Sequence, residues 1–411
     1  MNARSIGQRL GPGLIYAAAA VGVSHLVQAT RAGGDYGFAM IPIIIVIALI
    51  KYPGIRFGGD YAVATGRTLI HSYTAISVWV TMIYAAIILL TMAFVSAAIV
   101  LVVNGLLQSV LGFSATDFNI AAVLLGVTGV LLFTGKYRLL ESLNKLVVPA
   151  FTVLIFGSTI MLAFQTGWTA IDFALPAVNA VLIMYIVQLA GWMLTPMDGS
   201  VLQSLWTAAK SEQLGRRFSA AESQLDFNLG YAISLVLALC FLVMGASVLY
   251  GSGIEVAAGS GPFATQVIGL FSTVIGEWSF PLIGLTALLV MYSTLLTVLD
   301  GFARNLATLA DIALPLKIAR RYEIAVVIIV VSAIAVIGAF MRSFTTFIDF
   351  AGALTFLLAP LYAGLNHRAM FFSPEVPDRL RPNAVLKIWS IFGIVVMSVV
   401  AVLYVYLRWV S

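Results

Sequence analysis

The sequence predicts an all-helical integral membrane protein with eleven membrane-spanning helices, two of which are interrupted near their middle. Of the 411 residues, 61% are hydrophobic and only 9% are charged, whereas soluble domains carry about 25% charged residues. Apolar runs of about 20 residues, the length that crosses a bilayer, recur along the whole chain. Two of these runs contain a cluster of polar residues with Gly or Pro, which a plain membrane helix does not need.

The eleven apolar segments follow one another with short polar connections. Their expected extents are 12–31, 36–57, 76–106, 119–135, 143–165, 177–207, 228–250, 280–304, 323–341, 346–366 and 386–409. With a cytoplasmic N-terminus, all but three of the 22 Lys and Arg residues lie on the inner side. Lys51 is counted there, and the exceptions are Arg31, Arg342 and Arg408. This asymmetry predicts the plasma (cytoplasmic) membrane, with the N-terminus inside and the C-terminus outside.

Several function classes do not fit this pattern. The basic excess follows the membrane topology, so no nucleic-acid partner is expected, and no obligate protein partner is evident. The lone Cys240 excludes a disulfide framework, and the first apolar segment has no signal-peptide cleavage pattern. The chain has no Ser-x-x-Lys, His-Glu-x-x-His or paired intramembrane aspartates. We therefore expect neither an enzyme nor a cofactor.

The first interruption lies in "AVGVSHLVQATRAGGDYGF" (20–38), which puts Gly22, Ser24 and His25 at mid-membrane. The second lies in "AGWMLTPMDGSVLQSLW" (190–206), where Pro196 removes a backbone donor and an aspartate follows. Non-helical backbone survives at membrane depth only where it lines a cavity or is buried in protein. Both segments could be kinked structural helices, but a polar break in each favours a binding site.

The two interrupted spans, 1 and 6, are separated by five crossings and therefore enter the membrane from opposite sides. Paired broken helices in two inverted halves are typical of alternating-access secondary transporters, although a channel is also possible. We expect a single transmembrane domain over 1–411. Its two inverted repeats would cover about 12–165 and 177–366, with an additional helix at 386–409.

Four stretches resemble the Nramp metal-ion transporters, which have a LeuT-type fold. "GPGLIYAAAAVGVSHLVQATRAGGDYGF" (11–38) matches the spacing of the Nramp first span. "FGGDYAVATGR" (57–67) is similar to the end of its second span, and "GKYRLLESLNKLV" (135–147) to its loop between spans 4 and 5. "YSTLLTVLDGFARN" (292–305) is similar to its eighth span. The resemblance implies a LeuT-type 5+5 inverted repeat with helices 1 and 6 broken.

The chain departs from the family at the metal site. Nramp proteins hold the metal with an Asp-Pro-Gly-Asn motif in span 1, where this sequence has Gly22, Val23, Ser24 and His25. The aspartate that the resemblance implies as a metal ligand is therefore missing. A transition-metal ion at mid-membrane needs anionic or soft ligands, so this span alone predicts a weak metal site.

The sixth span departs in the same way. Where the family has Met-Pro-His, this chain has Thr195, Pro196 and Met197, so only the proline is kept. Span 3 (78–103) contains no carboxylate for the proton pathway of the family. The resemblance thus implies the fold, while the metal motifs are lost.

The altered site is better suited to a small anion. Helix N-termini after each break favour negative charge, and His25 would add a donor. We expect the substrate to be bound by Gly22, Val23, Ser24, His25, Thr195, Pro196, Met197, Asp198 and Ser200. Bicarbonate is the best candidate, and nitrate, formate or another small carboxylate satisfies the same requirement.

An alternative substrate is a divalent cation, Mn²⁺ or Mg²⁺, with Asp198 replacing the lost aspartate. Asp198 is equally compatible with a proton carrier or with pairing to His25 or Arg31. Asp300 and Arg304, one turn apart in span 8, are expected to form an ion pair. His71 and His367 are expected in solvated inner loops.

Uptake of an anion against a negative interior needs a driving ion, since each charge costs about 2.3 kcal/mol per 100 mV. In LeuT-type folds a sodium site lies between spans 1 and 8, and the resemblance implies Ser293, Thr294 and Thr297 as its hydroxyl ligands here. Oxygen ligands suit hard cations. Sodium symport is the expected drive, with protons second, and an interhelical hydrogen bond is the alternative role of the hydroxyls.

Overall fold

The computed structural model describes residues 11–113, 115–166, 172–314, 319–341 and 343–410, without the side chains of 14, 135–148, 163 and 165–166. Every regular element in these ranges is helical, which confirms the all-helical prediction. In chain order the α-helices are α1 (Pro12–Ala20), α2 (Thr30–Tyr36), α3 (Met40–Thr65), α4 (Leu69–Thr74), α5 (Val78–Leu111), α6 (Asp117–Thr166), α7 (Ala180–Trp192), α8 (Gly199–Leu214), α9 (Ala220–Val248), α10 (Ser260–Ile275), α11 (Phe280–Ala313), α12 (Arg321–Phe340), α13 (Phe344–Phe372) and α14 (Ala384–Val410).

Length and composition identify eight helical stretches that could each cross a membrane, among the described residues. The first of them, Ile15–Thr65, contains the predicted spans 1 and 2 together. Predicted spans 5 and 6 correspond to the shorter apolar helices Pro149–Leu162 and Ala180–Trp192. The chain is therefore a multi-pass membrane protein, while the number of eleven crossings and the orientation stay predictions.

Both predicted interruptions are present. Span 1 consists of α1, a break at residues 21–22, a π-helical turn over Val23–Ala29, and α2. Span 6 consists of α7, an irregular stretch at residues 193–198, and α8. We refer to residues 21–22 as the first break and to residues 193–198 as the second break. Both are buried between the surrounding helices, as expected for non-helical backbone at membrane depth.

Two connections differ from the prediction. A basic loop was expected between spans 4 and 5, at about 136–142, but α6 runs through it as one helix of 50 residues. The sequence there is rich in Lys, Leu, Arg and Glu, which are good helix formers, and charge alone does not end a helix. The connection between spans 7 and 8 contains an unpredicted helix, α10, whose 16 residues are shorter than a membrane span.

Close backbone contact brings the second broken span against α13. A Cβ built on Gly191 would lie 1.8 Å from the carbonyl oxygen of Gly352, so only glycine permits this approach. The indole Nε1 of Trp192 donates to the Ile348 carbonyl at 2.9 Å in the same interface. This packing fixes the end of α7, and therefore the start of the second break, against a long helix.

The additional helix α14 packs against α13 and α3. Trp389 Nε1 donates to the carbonyl of Leu49 at 2.9 Å, and Gly393 lies against the backbone of Ile50. Helix α14 thus holds the segment of α3 that contains Lys51. The division of the chain into two inverted repeats plus this helix stays a prediction.

Two histidines lie elsewhere than expected. His367 is inside α13 and 8% exposed, and its Nδ1 lies 2.6 Å from Ser390 Oγ, so a solvated loop position is wrong. His71 is half-buried in the short helix α4, with Nδ1 3.0 Å from Thr68 Oγ1. Partial burial, together with the nearby Arg67 charge, lowers the pKa of His71. Both rings are positioned by helix packing, which cannot be inferred from the apolar segments of the sequence.

Candidate functional site

The first break begins where α1 ends. The N–H of Gly22 donates to the Ala20 carbonyl at 2.8 Å, and the Gly22 carbonyl accepts the N–H groups of His25 and Leu26 at 3.1 and 3.0 Å. A Cβ built on Gly22 would lie 2.9 Å from Thr294 Cγ2. The position occupied by the family aspartate is therefore sterically restricted by α11, and any side chain there would displace Thr294.

Ser24 connects the two breaks. Its Oγ lies 2.6 Å from the Ala20 carbonyl and 3.1 Å from the carbonyl of Leu194, which belongs to the second break. The same oxygen is 2.7 Å from Nδ1 of His25. Because the hydroxyl can share its proton among these acceptors, Ser24 holds the broken backbones together at one point.

His25 faces away from the space between the breaks. Its Nε2 lies 2.7 Å from the carbonyl of Ser234 in α9, and since a carbonyl only accepts, Nε2 carries the proton. With Nδ1 beside Ser24, both ring nitrogens have partners, and the ring is fully buried. His25 therefore positions the π-helical turn against α9. Its expected pairing with Asp198 is not present.

The second break is held by Lys51, which was expected among the basic residues on the inner side of the membrane. Lys51 is 1% exposed. Its Nζ donates to the carbonyls of Ala190, Met193 and Thr195 at 2.9, 2.5 and 2.6 Å. All three N–H groups of the ammonium are thus used on the backbone that unwinds before Asp198. Treating Lys51 as a topology marker was wrong, because its helix buries it at the core.

The start of α8 does not offer the free donors that were expected. The N–H groups of Gly199 and Ser200 donate to the carbonyls of Pro196 and Met197 at 3.0 and 3.1 Å. These turns within the break satisfy the first N–H groups, which a helix N-terminus otherwise presents to a ligand. The expectation of an anion bound by these two backbone donors is therefore wrong for the structure as it stands.

A cavity of about 30 Å³ lies between the two breaks, enough for two or three water-sized groups. Helices α5 and α11 complete its wall. Its lining is Tyr16, Ala19, Ala20, Val23, Ser24, Val95, Ile99, Trp192, Thr195, Pro196, Asp198, Gly199, Leu202, Trp206, Thr294, Val298 and Phe302. The cavity is mostly apolar and aromatic, and Asp198 is the one charged residue in its lining.

The structure brings about half of the expected site residues to this cavity. Those that line it are Val23, Ser24, Thr195, Pro196, Asp198 and Thr294. Of the others, Met197 lies against Gly54 of α3, where a built Cβ would be 3.2 Å from its sulfur. Ser200 Oγ accepts from Asn366 Nδ2 of α13 at 2.8 Å. Met197 and Ser200 thus contact α3 and α13, and neither lines the cavity.

The hydroxyl of Thr294 joins α11 to the first broken span. Its Oγ1 lies 2.7 and 2.9 Å from the carbonyls of Ala18 and Val21. One turn later, Thr297 Oγ1 donates to the Ser293 carbonyl at 2.7 Å, within its own helix. Of the two roles considered for these hydroxyls, the structure has the interhelical hydrogen bond at Thr294.

Three polar side-chain atoms of the cavity lining are buried without a hydrogen-bond partner among the described residues. They are Oδ2 of Asp198, the hydroxyl of Tyr16 and Nε1 of Trp206. Neither aromatic residue was predicted as part of the site, and Lys51 was missed as well. A lysine inside an apolar run was the one available signal, since an intramembrane charge is a functional candidate by default.

Polar contacts hold both ends of the first broken span. At one end, Arg31 forms a two-pronged ion pair with Asp349 of α13, at 2.7 and 3.2 Å, so Arg31 is not a partner of Asp198. At the other end, the Asp226 carboxylate of α9 accepts the N–H groups of Gly11 and Gly13 at 3.1 and 2.5 Å, at the start of α1.

The expected ion pair in span 8 is present. Arg304 Nε lies 2.7 Å from Asp300 Oδ2, and the hydroxyl of Tyr322 donates to the other carboxylate oxygen at 2.7 Å. Asp300 is fully buried and does not line the cavity. The ion pair lies within α11, and the hydrogen bond from Tyr322 joins α11 to α12.

Metal-binding groups are sparse. Within the described ranges, no group of three or more His, Cys, Asp and Glu side chains could hold a metal ion. The carboxylate of Asp198 faces hydroxyl, indole and aromatic neighbours rather than further acids. Such a lining suits a ligand that makes hydrogen bonds and apolar contacts better than a transition-metal ion.

Comparison with known proteins gives one sequence relative and a set of structures. No family model matches the chain. The uncharacterized protein PM0681 of Pasteurella multocida (strain Pm70) is 32% identical over 366 residues, 87% of this chain and 83% of the relative. Both proteins therefore align over most of their lengths.

Solved structures share the fold at low sequence identity. A mutant form of the manganese transporter of Eremococcus coleocola superposes with a TM-score of 0.68 at 12% identity, over 97% of this chain and 86% of its own. MhsT in complex with L-phenylalanine has a TM-score of 0.66 at 15% identity, over 96% and 98%. These likenesses confirm the LeuT-type, Nramp-like fold. The first of these structures is of a transporter.

Proposed function

The chain belongs to the same family as the uncharacterized protein PM0681 of Pasteurella multocida, and we propose that it is a secondary transporter for a small anion. Its substrate would occupy the cavity between the two breaks. Bicarbonate is the preferred substrate, with sodium symport as the drive and proton coupling second. The fold of two transporters supports the general function, and broken helices that meet at a buried site support alternating access.

The observation that carries the preference for an anion is the ammonium of Lys51 at the second break. The carbonyl oxygens of an unwound span are the natural ligands of a cation, and here Lys51 already occupies those of Ala190, Met193 and Thr195. Its charge also offsets the Asp198 carboxylate, with which it interacts electrostatically. The protein thus carries its own cation where a transported cation would otherwise be bound.

A divalent cation, Mn²⁺ or Mg²⁺, is the alternative, with Asp198 as its only anionic ligand. The free Oδ2 of Asp198 favours this alternative. Three features weigh against it. Met197 turns its sulfur toward α3, the N–H of Trp206 repels a cation, and Lys51 adds a positive charge. Magnesium, which keeps several waters, would also need more space than a cavity of about 30 Å³.

Sodium coupling is proposed at the contact between α11 and the first broken span. Thr294 Oγ1 lies within 2.9 Å of the carbonyl oxygens of both Ala18 and Val21 across this contact. Three oxygens in one place suit a hard cation. When α1 moves during the transport cycle, the hydroxyl can turn its proton away, and an ion can bind between the three oxygens.

We further propose that the transporter is one transmembrane domain over 1–411. Its inverted halves would be approximately 12–165 and 177–366, and helix 386–409 would be an addition. The positive-inside rule supports a cytoplasmic-membrane location with the N-terminus inside. Contacts at both ends of the cavity, Arg31 with Asp349 and Asp226 with the start of α1, support a closed state in which the substrate is shielded.

The test is uptake by proteoliposomes that contain the purified protein. We expect ¹⁴C-bicarbonate uptake to be stimulated by an inward sodium gradient, and Mn²⁺ uptake to equal that of empty liposomes. Thr195→Phe, which fills the cavity, should abolish uptake. Thr273→Phe, at an exposed position of α10, is the matched control and should retain it. Saturable Mn²⁺ uptake that Asp198→Ala removes would establish the alternative.

A further inference from the structure

Three residues that line one small cavity each carry a buried polar atom without a hydrogen-bond partner among the described residues. Asp198, Tyr16 and Trp206 are 5%, 1% and 0% exposed. Oδ2 of Asp198, the hydroxyl of Tyr16 and Nε1 of Trp206 make no hydrogen bond within the described chain. A buried polar group without a hydrogen-bond partner destabilises the folded state. Three such groups around a space large enough for a small ligand therefore indicate what the ligand must supply.

The three atoms differ in whether they donate or accept a hydrogen bond. An indole Nε1 can only donate a hydrogen bond, and an ionised carboxylate oxygen can only accept one. The tyrosine hydroxyl can do either. A ligand that satisfies all three must therefore present an acceptor to Trp206 and a donor to Asp198, with the Tyr16 hydroxyl adapting to whichever remains.

We propose that the ligand of this cavity is a small oxyanion that carries its own O–H or N–H donor. The proposal rests on the proposed function and narrows it. The donor hydrogen lies on Asp198 Oδ2, and the anionic oxygens accept from Trp206 Nε1 and the Tyr16 hydroxyl. A cavity of about 30 Å³, enough for two or three water-sized groups, limits the ligand to a small ion. Bicarbonate meets each condition with its single O–H.

The requirement separates oxyanions of similar size. Nitrate and formate offer acceptors only at neutral pH, so each would place an oxygen lone pair against the Asp198 carboxylate. A hydrogen bond to a charged group changes affinity about ten-fold or more, and the repulsion that replaces it increases the difference. A bare metal ion does not meet the requirement either, because it cannot accept a hydrogen bond from the indole N–H of Trp206.

The experiment measures the thermal stability of the detergent-purified protein in sodium bicarbonate, nitrate or formate, with sodium chloride at equal ionic strength as the reference. Ligands that bind the folded state raise the unfolding temperature by an amount that increases with the ratio of ligand concentration to Kd. We expect bicarbonate to stabilise the wild type at concentrations at least about ten-fold lower than nitrate or formate. Asp198→Asn, whose amide can donate, should remove most of this preference by improving nitrate affinity about ten-fold.

Two further variants make the result specific. Trp206→Phe should weaken bicarbonate about ten-fold while keeping the order of the three anions. Asp60→Asn removes a carboxylate of α3 that pairs with Arg56, outside the cavity lining, and should change nothing in the ranking. Asp60→Asn also controls for the general effect of removing an intramembrane acid.

The outcomes are distinct. If nitrate and formate stabilise the wild type as well as bicarbonate, Asp198 is not the acceptor and this inference is overturned, while anion transport stands. If none of the anions stabilises the protein and Mn²⁺ does, the proposed function itself fails. A preference unaltered by Asp198→Asn also overturns the inference, because the carboxylate then has no part in ligand choice.

Discussion

Replacing Lys51 by methionine is the most direct test of how the second break is organised. Methionine keeps much of the side-chain volume and removes the charge, so the carbonyls of Ala190, Met193 and Thr195 lose their donor. Removing one partner of a buried charged interaction costs about 3–5 kcal/mol. We expect Lys51→Met to unfold at a clearly lower temperature, and also to acquire affinity for divalent cations.

The size of the gained affinity follows from the geometry. Nζ of Lys51 lies 2.6 Å from the Thr195 carbonyl oxygen. A divalent ion bound by the same oxygen at about 2.1 Å would be no more than about 5 Å from Nζ. At an effective dielectric constant of about 20, a single and a double positive charge at about 5 Å repel by about 7 kcal/mol. Removing that repulsion allows up to about five orders of magnitude in affinity.

The assay is the unfolding temperature of wild type and variant with and without Mn²⁺ at about 1 mM, the range in which weak sites fill. Mn²⁺ should raise the unfolding temperature of Lys51→Met and leave the wild type unchanged. Lys210→Met is the matched control, since Lys210 is also buried, at 3% exposure, but hydrogen-bonds Gln213 instead of a break. Stabilisation of the wild type by Mn²⁺, or no response of the variant, would refute the argument.

Three further results are expected. Gly191→Ala should destabilise the protein by about 1–3 kcal/mol because its Cβ meets a carbonyl of α13, whereas Gly126→Ala, which points into open space, should be neutral in the same thermal unfolding assay. Arg31→Met breaks the ion pair to α13 and should accelerate thiol labelling of a cysteine introduced at Gln188, which lines a pocket together with Asp349; unchanged labelling would contradict a closing role. Thr294→Val should abolish sodium stimulation of uptake while Thr294→Ser retains it, and equal stimulation in both would exclude this sodium position.

The fold was predictable because its signals are strong and local. Apolar runs mark the spans, and Gly22 and Pro196 lie at the two breaks that the structure contains. The predicted break at 136–142 failed for a physical reason, since Lys, Arg and Glu favour helix as readily as they mark a loop. Helix α10 was missed because its 16 residues fall below the length used for a span.

The site was only half predictable, because an irregular backbone has no helical period. Thr195 and Asp198 face the cavity, while Met197 between them faces α3. Without the regular repeat of a helix, adjacency in sequence does not say which side a residue takes. Lys51 comes from another helix, far earlier in the chain, and only three-dimensional packing brings it to the second break.

The occupied second break also bears on laboratory evolution of this chain toward metal uptake. Gly22→Asp alone would not restore a metal site, because its Cβ would collide with Thr294 at 2.9 Å. Lys51 would also still occupy carbonyls of the second break that a metal needs. Substitutions at Gly22, Thr294 and Lys51 are therefore strongly epistatic. In a selection experiment, lines that lose Lys51 first would be the ones able to proceed.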